Sequence, residues 1–309
     1  MSENLFDTLK QEILDTLPAD QADWIVQQLF SRKVNLLFVG ATGVGKSSTI
    51  NALFDTAVAK EGHSPDPETN TISRYELSEN LTLWDSPGFG DDPQKDSHYA
   101  EQIAALLRKK DSDGNLLIDA AVVILDGASR DLGTAYRVVE KVLYPVLGNS
   151  NRIILALNRC DLAMGGRGWD EEKRQPTAPL QNRLEQQASS VQERFRTSVG
   201  LNVRPVIYSA YYHYNLSRLL VNVLEGIPEE KRYLVTDELH SDPDIWKSSD
   251  GEQNYREAVQ NTIRHSIGRA LLGAAQGAEV GAAIGSFIPV IGSAVGATIG
   301  AVLGFLGSL

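Results

Sequence analysis

The sequence predicts an α/β fold: a mostly parallel sheet flanked by helices, with helices added before it and a glycine-rich helical hairpin after it. Three observations carry this prediction. Between Val34 and about Gly226, short apolar runs rich in β-branched residues alternate with segments of helical period. Strands covered on both faces read as such near-continuous apolar runs. Ahead of them, Leu5, Leu9, Ile13 and Leu17 recur on one helical face. Behind them, residues 270–309 are 40 positions with one charged side chain, Glu279.

In chain order, residues 1–32 form an N-terminal helical element that Pro18 divides into two short helices, the second carrying Trp24, Ile25 and Leu29. It is expected to pack on the main domain. Residues 33–227 form that domain. Its strands are "VNLLFVG", "LTLWD", "DAAVVILD", "RIILALN" and "RPVIYSA", and its helices include "SSTINALF", "HYAEQIAALLRKK", "TAYRVVEKVLYPVL" and "LQNRLEQQASSVQERF". "TISRYEL" before "LTLWD" predicts an edge hairpin and a mixed sheet. Residues 228–266 read as a charged connector followed by a helix that aligns Tyr255, Val259 and Ile263. Residues 267–309 form the glycine-spaced segment.

A formal net charge of −11 argues against broad, sequence-independent binding to nucleic acid, which needs a basic face. Cys160 is the single cysteine, so no internal disulfide forms, which fits a reducing, cytoplasmic setting. The N-terminal residues "MSENLFDTLKQEILDTL" lack a basic region followed by an apolar core, and predict no secretory signal.

"GATGVGKSS", Gly40 to Ser48, fits G-x-x-x-x-G-K-[ST] between a strand and a helix. Its glycines allow backbone N–H groups to turn around phosphate oxygens, and the helix N-terminus adds positive potential. Gly40, Thr42, Gly43, Val44, Gly45, Lys46, Ser47 and Ser48 are the expected cradle. Lys46 reaches the terminal phosphates, and Ser47 ligates Mg²⁺. "WDSPGFGD" follows a strand 39 residues after Lys46. Asp85 at the strand end is expected to hold Mg²⁺ through water, and Gly88 offers its N–H to a γ-phosphate. "LNRCD" approximates N-K-x-D as Asn158-Arg159-Cys160-Asp161. A carboxylate at Asp161 accepts from guanine N1–H and its exocyclic amine, a donor pair adenine lacks; the plainer role for it is a helix N-cap. Arg159 replaces the expected lysine, with an aliphatic stem able to lie along a base. "YSA", with Ser209 and Ala210, closes the next strand where a backbone N–H meets the guanine oxygen.

With these elements in this order, residues 33 to 225 resemble the translation-factor-like GTPases of the Era-like type. "GATGVGKSSTINALF", "LTLWDSPGFGDD", "SRDLGTAY" and "YSAYYHYNL" resemble small bacterial GTPases encoded in prophages and genomic islands. "TGVGKS" is also similar to the loop of immunity-related and septin-type GTPases. The resemblance implies a Ras-like fold, binding of GTP, GDP and Mg²⁺, and slow GTP hydrolysis. It implies a threonine in the switch between Phe54 and Ile72 that meets Mg²⁺ and the γ-phosphate; Thr69 is the first choice and Thr71 the alternative. It also implies a water-orienting glutamine after Gly88, where this chain has Phe89. Another polar group, from the switch, a partner or a second subunit, must then serve. His63, His98, Asp91, Asp92 and Arg130 are the nearby candidates, each with the plainer reading of a solvated loop residue. Gly43 stands where some relatives use an asparagine to hold K⁺, which argues against potassium activation.

The last segment places glycines at 273, 277, 281 and 285, then at 292, 296, 300 and 304, on either side of Pro289. Each glycine costs a helix roughly 1 kcal/mol relative to alanine. Regular spacing makes sense as a groove for close helix approach. Two arms of about 20 residues are each about 30 Å long, near the thickness of a bilayer core. One reading has this hairpin enter or lie on a membrane, the inner membrane included; the other has it pack in water, on this chain or in a homodimer or oligomer. The functional expectation is a GTP-hydrolysing switch. The alternatives are a GTP-binding module with negligible turnover, an ATP-using P-loop protein, and a membrane-active effector gated by nucleotide.

Overall fold

The computed structural model describes residues 5–54, 56, 71–90, 92–129, 132–148 and 150–275. Helices α1 (Leu5–Thr16) and α2 (Ala19–Phe30) flank Pro18, as its missing N–H and fixed φ require. They lead into β1 (Val34–Gly40), whose seven residues are all buried, and then α3 (Lys46–Leu53). The antiparallel edge strand β2 (Ser73–Glu76) alternates between partly buried and exposed positions, as a strand with one solvated face does, and pairs with β3 (Leu81–Asp85).

Helix α4 (Pro93–Leu107) follows, and then β4 (Ala120–Asp126). The helix expected over residues 134–147 divides into α5 (Gly133–Val138), a π-helical turn Val139–Leu143 and α6 (Tyr144–Leu147). Pro145 explains the break. It lacks the N–H that would bond the Lys141 carbonyl, and the Tyr144 N–H reaches back to the Val139 carbonyl instead. Next come β5 (Ile153–Asn158), a small hairpin of β6 (Trp169–Asp170) and β7 (Gln175–Pro176), α7 (Ala178–Val199), β8 (Val206–Ile207), α8 (Leu216–Gly226) and α9 (Tyr255–Ala275).

The main sheet has six strands in the order β2-β3-β1-β4-β5-β8, all parallel except β2. This is the mostly parallel sheet that the strand–helix alternation predicts, in the Ras-like order that the resemblance implies. Register sets Phe38 beside Asp85, Gly40 beside Ile124, and Asp126 beside Asn158. The carboxyl ends of four parallel strands therefore meet along one edge, where ligands of open α/β sheets bind. One sheet face buries Leu36, Phe38, Val122 and Ile124 under α1, α2, α3, α8 and α9. The other buries Leu37, Val39, Val123 and Leu125 under α4, the α5–α6 helices and α7.

The connector is more than a solvated link. Tyr233, Leu234 and Val235, within a 3-10 segment Glu229–Glu238, are buried in the core. The Tyr233 hydroxyl donates to the Leu29 carbonyl (2.8 Å), and its N–H donates to Ser266 Oγ (3.1 Å). Lys231 pairs with buried Asp119 at 3.0 Å. Apolar residues and pairing partners distant in sequence account for this; local charge density does not record them. Helix α9 runs unbroken across residues 266 and 267. The glycine-spaced segment from Gln276 onward lies outside the described residues.

Candidate functional site

The loop from Gly40 to Gly45 leaves β1 and delivers Lys46 and Ser47 to the first turn of α3. Gly43 and Gly45 hold positive φ of 71° and 93°, a region that side chains resist. At Gly45 space also forbids a side chain: a Cβ would stand 2.4 Å from Asn158 Nδ2. Lys46 Nζ donates to the Gly40 and Ala41 carbonyls at 3.3 and 3.2 Å. Its ammonium therefore lies over the loop. Thr49, a turn further along α3, bonds the Gly45 carbonyl (2.7 Å) and the buried Tyr208 hydroxyl (2.7 Å), fixing the helix start against β8.

Asp85 ends β3. Burial pushes its carboxyl up to about 6, against the opposing pull of the Lys46 charge. Its Oδ1 is buried and has no hydrogen-bond partner. An ionisable oxygen in this state fits a cation, and Ser47 in the α3 first turn supplies the hydroxyl that Mg²⁺ commonly takes beside phosphate oxygens. Among the described residues no cluster of three or more His, Cys, Asp or Glu forms a metal site. Thr69 lies outside the described residues, and Thr71 is exposed ahead of β2.

The segment after Asp85 lies against the phosphate loop. The Thr42 N–H donates to the Phe89 carbonyl (3.0 Å), and the Phe89 N–H donates to the Gly40 carbonyl (3.3 Å). A Cβ on Gly88 would meet Thr42 Oγ1 at 2.4 Å and Thr42 Cα at 2.6 Å. Gly88 is thus required by the approach of two backbones, besides any phosphate. Phe89 is 2% exposed, with its ring edge-on to Tyr99. Asp92 accepts from the Gln94 N–H (2.8 Å) as the N-cap of α4, and exposed His98 contacts Gln102. His63, Asp91 and Arg130 lie outside the described residues.

Asn158 joins the two halves of the site. Its Nδ2 donates to the Val44 carbonyl (2.9 Å), and its Oδ1 accepts from the Ala210 N–H (3.0 Å). That second bond occupies an N–H expected to be open to a guanine oxygen. Ser209 is occupied as well: its N–H bonds the Tyr214 carbonyl, and its Oγ accepts from the Tyr212 N–H (3.1 Å). Arg159 takes a positive φ of 60° and pairs with Asp126 at 3.3 Å. Asp161 is buried, and its Oδ1 has no partner. A cavity of about 380 Å³ opens here, lined by Gly43, Gly45, Ser48, Asn158, Arg159 and Asp161 together with Leu162 and Ser209 to Tyr212.

Sequence reasoning passed over Asp126, which steadies Arg159, and Gly127, whose N–H bonds the Asn158 carbonyl (2.7 Å). An Asp-Gly pair ending the strand "VVILDG" was the available signal. It also passed over Trp169 in the β6–β7 hairpin, whose contacts with Tyr212 and Tyr214 nothing local announces.

Residues 35–159 match the family model described as 50S ribosome-binding GTPase. Human Septin-8 is 37% identical over 92 residues, which are 28% of this chain and 19% of that protein. Mouse Septin-8 is 39% identical over 92 residues, 28% of this chain and 21% of that protein. The chain thus spans about a fifth of the length of these curated relatives. Among solved structures, a probable GTP-binding protein engB aligns at 20% identity over 62% of this chain and 98% of its own, with a TM-score of 0.42. Era from Aquifex aeolicus, bound to GDP and AlF4⁻, aligns at 15% identity over 64% of this chain and 58% of its own, with a TM-score of 0.41. The phosphate loop, the strand ending in Asp85 and the start of "NRCD" all lie inside the segment that matches this family model, on a sheet with the Ras-like G-domain fold.

Proposed function

We propose that this protein binds GTP and GDP with Mg²⁺ and hydrolyses GTP to GDP and phosphate as a molecular switch. The observation that carries the reading is a pair of buried carboxylate oxygens without partners. Asp85 Oδ1 stands beside the phosphate loop, and Asp161 Oδ1 lies in the cavity that Asn158 ties to that loop. A buried acceptor left unmade is costly, so each calls for a ligand.

In this reading Gly40 and Thr42 to Ser48 cradle the phosphates, and Lys46 exchanges its loop carbonyls for terminal phosphate oxygens. Ser47 and Asp85 would hold Mg²⁺, Asp85 through water, with Thr69 as the further contact from the switch; the ion would supply charge neutralisation at the phosphates. Gly88 presents its N–H to the γ-phosphate. Asn158 and Arg159 frame the base, Asp161 reads its donor edge, and the Ser209–Ala210 turn closes the slot. Phe89, apolar and packed on Tyr99, has no means to orient water. Turnover is therefore slow until a partner or second copy supplies a polar group. Single-turnover GTP hydrolysis measured across a wide range of protein concentration tests this. The rate should rise with concentration, and Lys46→Ala should abolish it. Absence of guanine-nucleotide binding by the wild type defeats the reading outright.

The burial of Phe89 favours one competing reading, a GTP-binding module with negligible turnover, and a flat, near-zero rate at every concentration would establish it. We further propose that the segment after α9, residues 276–309, forms the glycine-faced hairpin that links nucleotide state to self-association or to a membrane surface; the expected boundary at 267 falls inside α9. Among the described residues no helix is long and apolar enough to cross a membrane. Liposome flotation of the full chain and of a chain ending at residue 275, each with GDP and with a non-hydrolysable GTP analogue, separates membrane binding from packing in water.

A further inference from the structure

The stretch Tyr208–Tyr214 places four tyrosines in seven residues, and their environments differ. Tyr208 and Tyr214 are fully buried, Tyr212 is partly buried, and Tyr211 is 81% exposed. A solitary exposed aromatic needs no explanation. This one lines the cavity that holds Asp161. Its ring meets Tyr212 edge-on at 4.9 Å, Tyr212 packs on Trp169 at 5.0 Å, and Trp169 meets Tyr214 edge-on at 5.6 Å. The exposed ring is therefore the outer end of a braced aromatic row anchored in the core.

The backbone adds a second observation. Of the N–H groups from Ser209 to Tyr212, those of Ser209, Ala210 and Tyr212 are given to Tyr214, Asn158 and Ser209. The Tyr211 N–H alone makes no hydrogen bond among the described residues. One residue lining this cavity thus carries both an open donor and an exposed π face. A purine has the complementary needs: an acceptor on its edge and two apolar faces. Leu162, half exposed on the same cavity, and the Arg159 stem offer further surface for those faces.

We propose that Tyr211 is the lid of the base slot: its ring stacks on the face of the bound guanine, and its N–H takes the guanine oxygen that the engaged Ala210 N–H leaves open. This rests on the guanine-nucleotide reading above and deepens it. Asp161 sets which base is chosen, and Tyr211 sets how long the nucleotide stays. Stacking is indifferent to the exocyclic amine, so its loss should affect guanine and hypoxanthine nucleotides alike.

The test uses the full chain with Mg²⁺ and ribose-labelled N-methylanthraniloyl GDP and IDP, chased with excess unlabelled GDP. Tyr211→Ala should dissociate both probes about tenfold faster than wild type, the scale of one lost base–aromatic stack. Tyr211→Phe should stay within about twofold, because the ring acts and the hydroxyl does not. The melting temperature of both variants should match wild type, since the ring is exposed. An unchanged dissociation rate in Tyr211→Ala overturns the lid while leaving the nucleotide site standing. A Tyr211→Phe variant as fast as Tyr211→Ala, or an effect confined to GDP, overturns stacking. A wild-type chain that binds neither probe overturns the underlying reading, and the lid with it.

Discussion

Asp237 lies far from the phosphate loop and carries the clearest consequence of burying one charge. Its carboxylate accepts the N–H groups of Leu5 (3.1 Å) and Phe6 (3.3 Å), so it caps the first turn of α1 from more than two hundred residues away. Burial nonetheless pushes its carboxyl up to about 6. The sign follows directly: the folded chain holds a proton that the unfolded chain releases near 3.8. The stabilisation is complete below that value and is lost as pH rises through about 6, a swing of about 3 kcal/mol. Asp237→Asn carries no charge at any pH, so its stability relative to wild type should rise between pH 4 and 7. Urea unfolding across that range measures it, and parallel curves would contradict the assignment. At the base slot, Asp161→Asn should turn preference from guanine toward xanthine, because an amide at the orphaned Oδ1 position donates where the carboxylate accepts. Competition of GDP against XDP for the variant is the measurement.

Asp250 shows how elements are joined. Its Oδ2 accepts from Asn215 Nδ2 (2.9 Å) and Arg218 Nη1, and its Oδ1 from the Tyr255 hydroxyl (2.8 Å) and the Glu252 N–H (3.0 Å). Asn215 closes the tyrosine-rich turn after β8 and opens α8, while Tyr255 opens α9. One carboxylate, 7% exposed, therefore ties the tyrosine-rich turn to the last described helix. Asp250→Ala should cost about 3 kcal/mol in urea unfolding, because it removes the acceptor of Asn215 and Tyr255 and leaves the largely buried Arg218 with only the exposed Glu252 (3.0 Å) as partner. Replacing both as Asp250→Ala with Arg218→Met should recover part of that loss. None of this knot was legible in the sequence. The strand–helix alternation, the edge hairpin before "LTLWD" and the phosphate loop were legible, because each rests on local period or on glycine at fixed spacing. Asp250, the buried Tyr233 of the connector and the Arg159–Asp126 pair depend on residues brought together by the fold. Phe89 was legible as a missing glutamine, but its packing on Tyr99 was not, since α4 places that ring.

Across the whole molecule, the connector reaches the root of the predicted switch. Phe54 and Leu239 form an antiparallel bridge, and the His240 N–H donates to the Leu53 carbonyl (3.0 Å). The same connector packs on α9, which leads toward the glycine-spaced segment. A nucleotide that engages the chain after Phe54 should steady this bridge. Hydrogen exchange at the His240 amide should slow when nucleotide is added and revert in Lys46→Ala, whose terminal phosphates lose their cation. Unchanged exchange with saturating nucleotide would separate the connector from the switch. For the segment beyond Ala275, Gly277→Leu with Gly300→Leu should lose self-association although the substitutions add apolar surface. Stronger liposome binding with an unchanged assembly state, read by flotation and light scattering, would contradict the glycine groove.

The single amide of Asn158 spans Val44 on one loop and Ala210 on the other, so the spacing between the two half-sites is set before any ligand arrives. A pocket of fixed span acts as a gauge. Guanosine alone and pyrophosphate alone should each bind weakly, and supplying both free in solution should not reproduce GDP. The covalent tether turns the second contact into an intramolecular event whose effective concentration reaches the millimolar range or above. In the proposed site, selection would then rest on the 5′ ester that links nucleoside to phosphate, because only a molecule of the right length collects both halves at once.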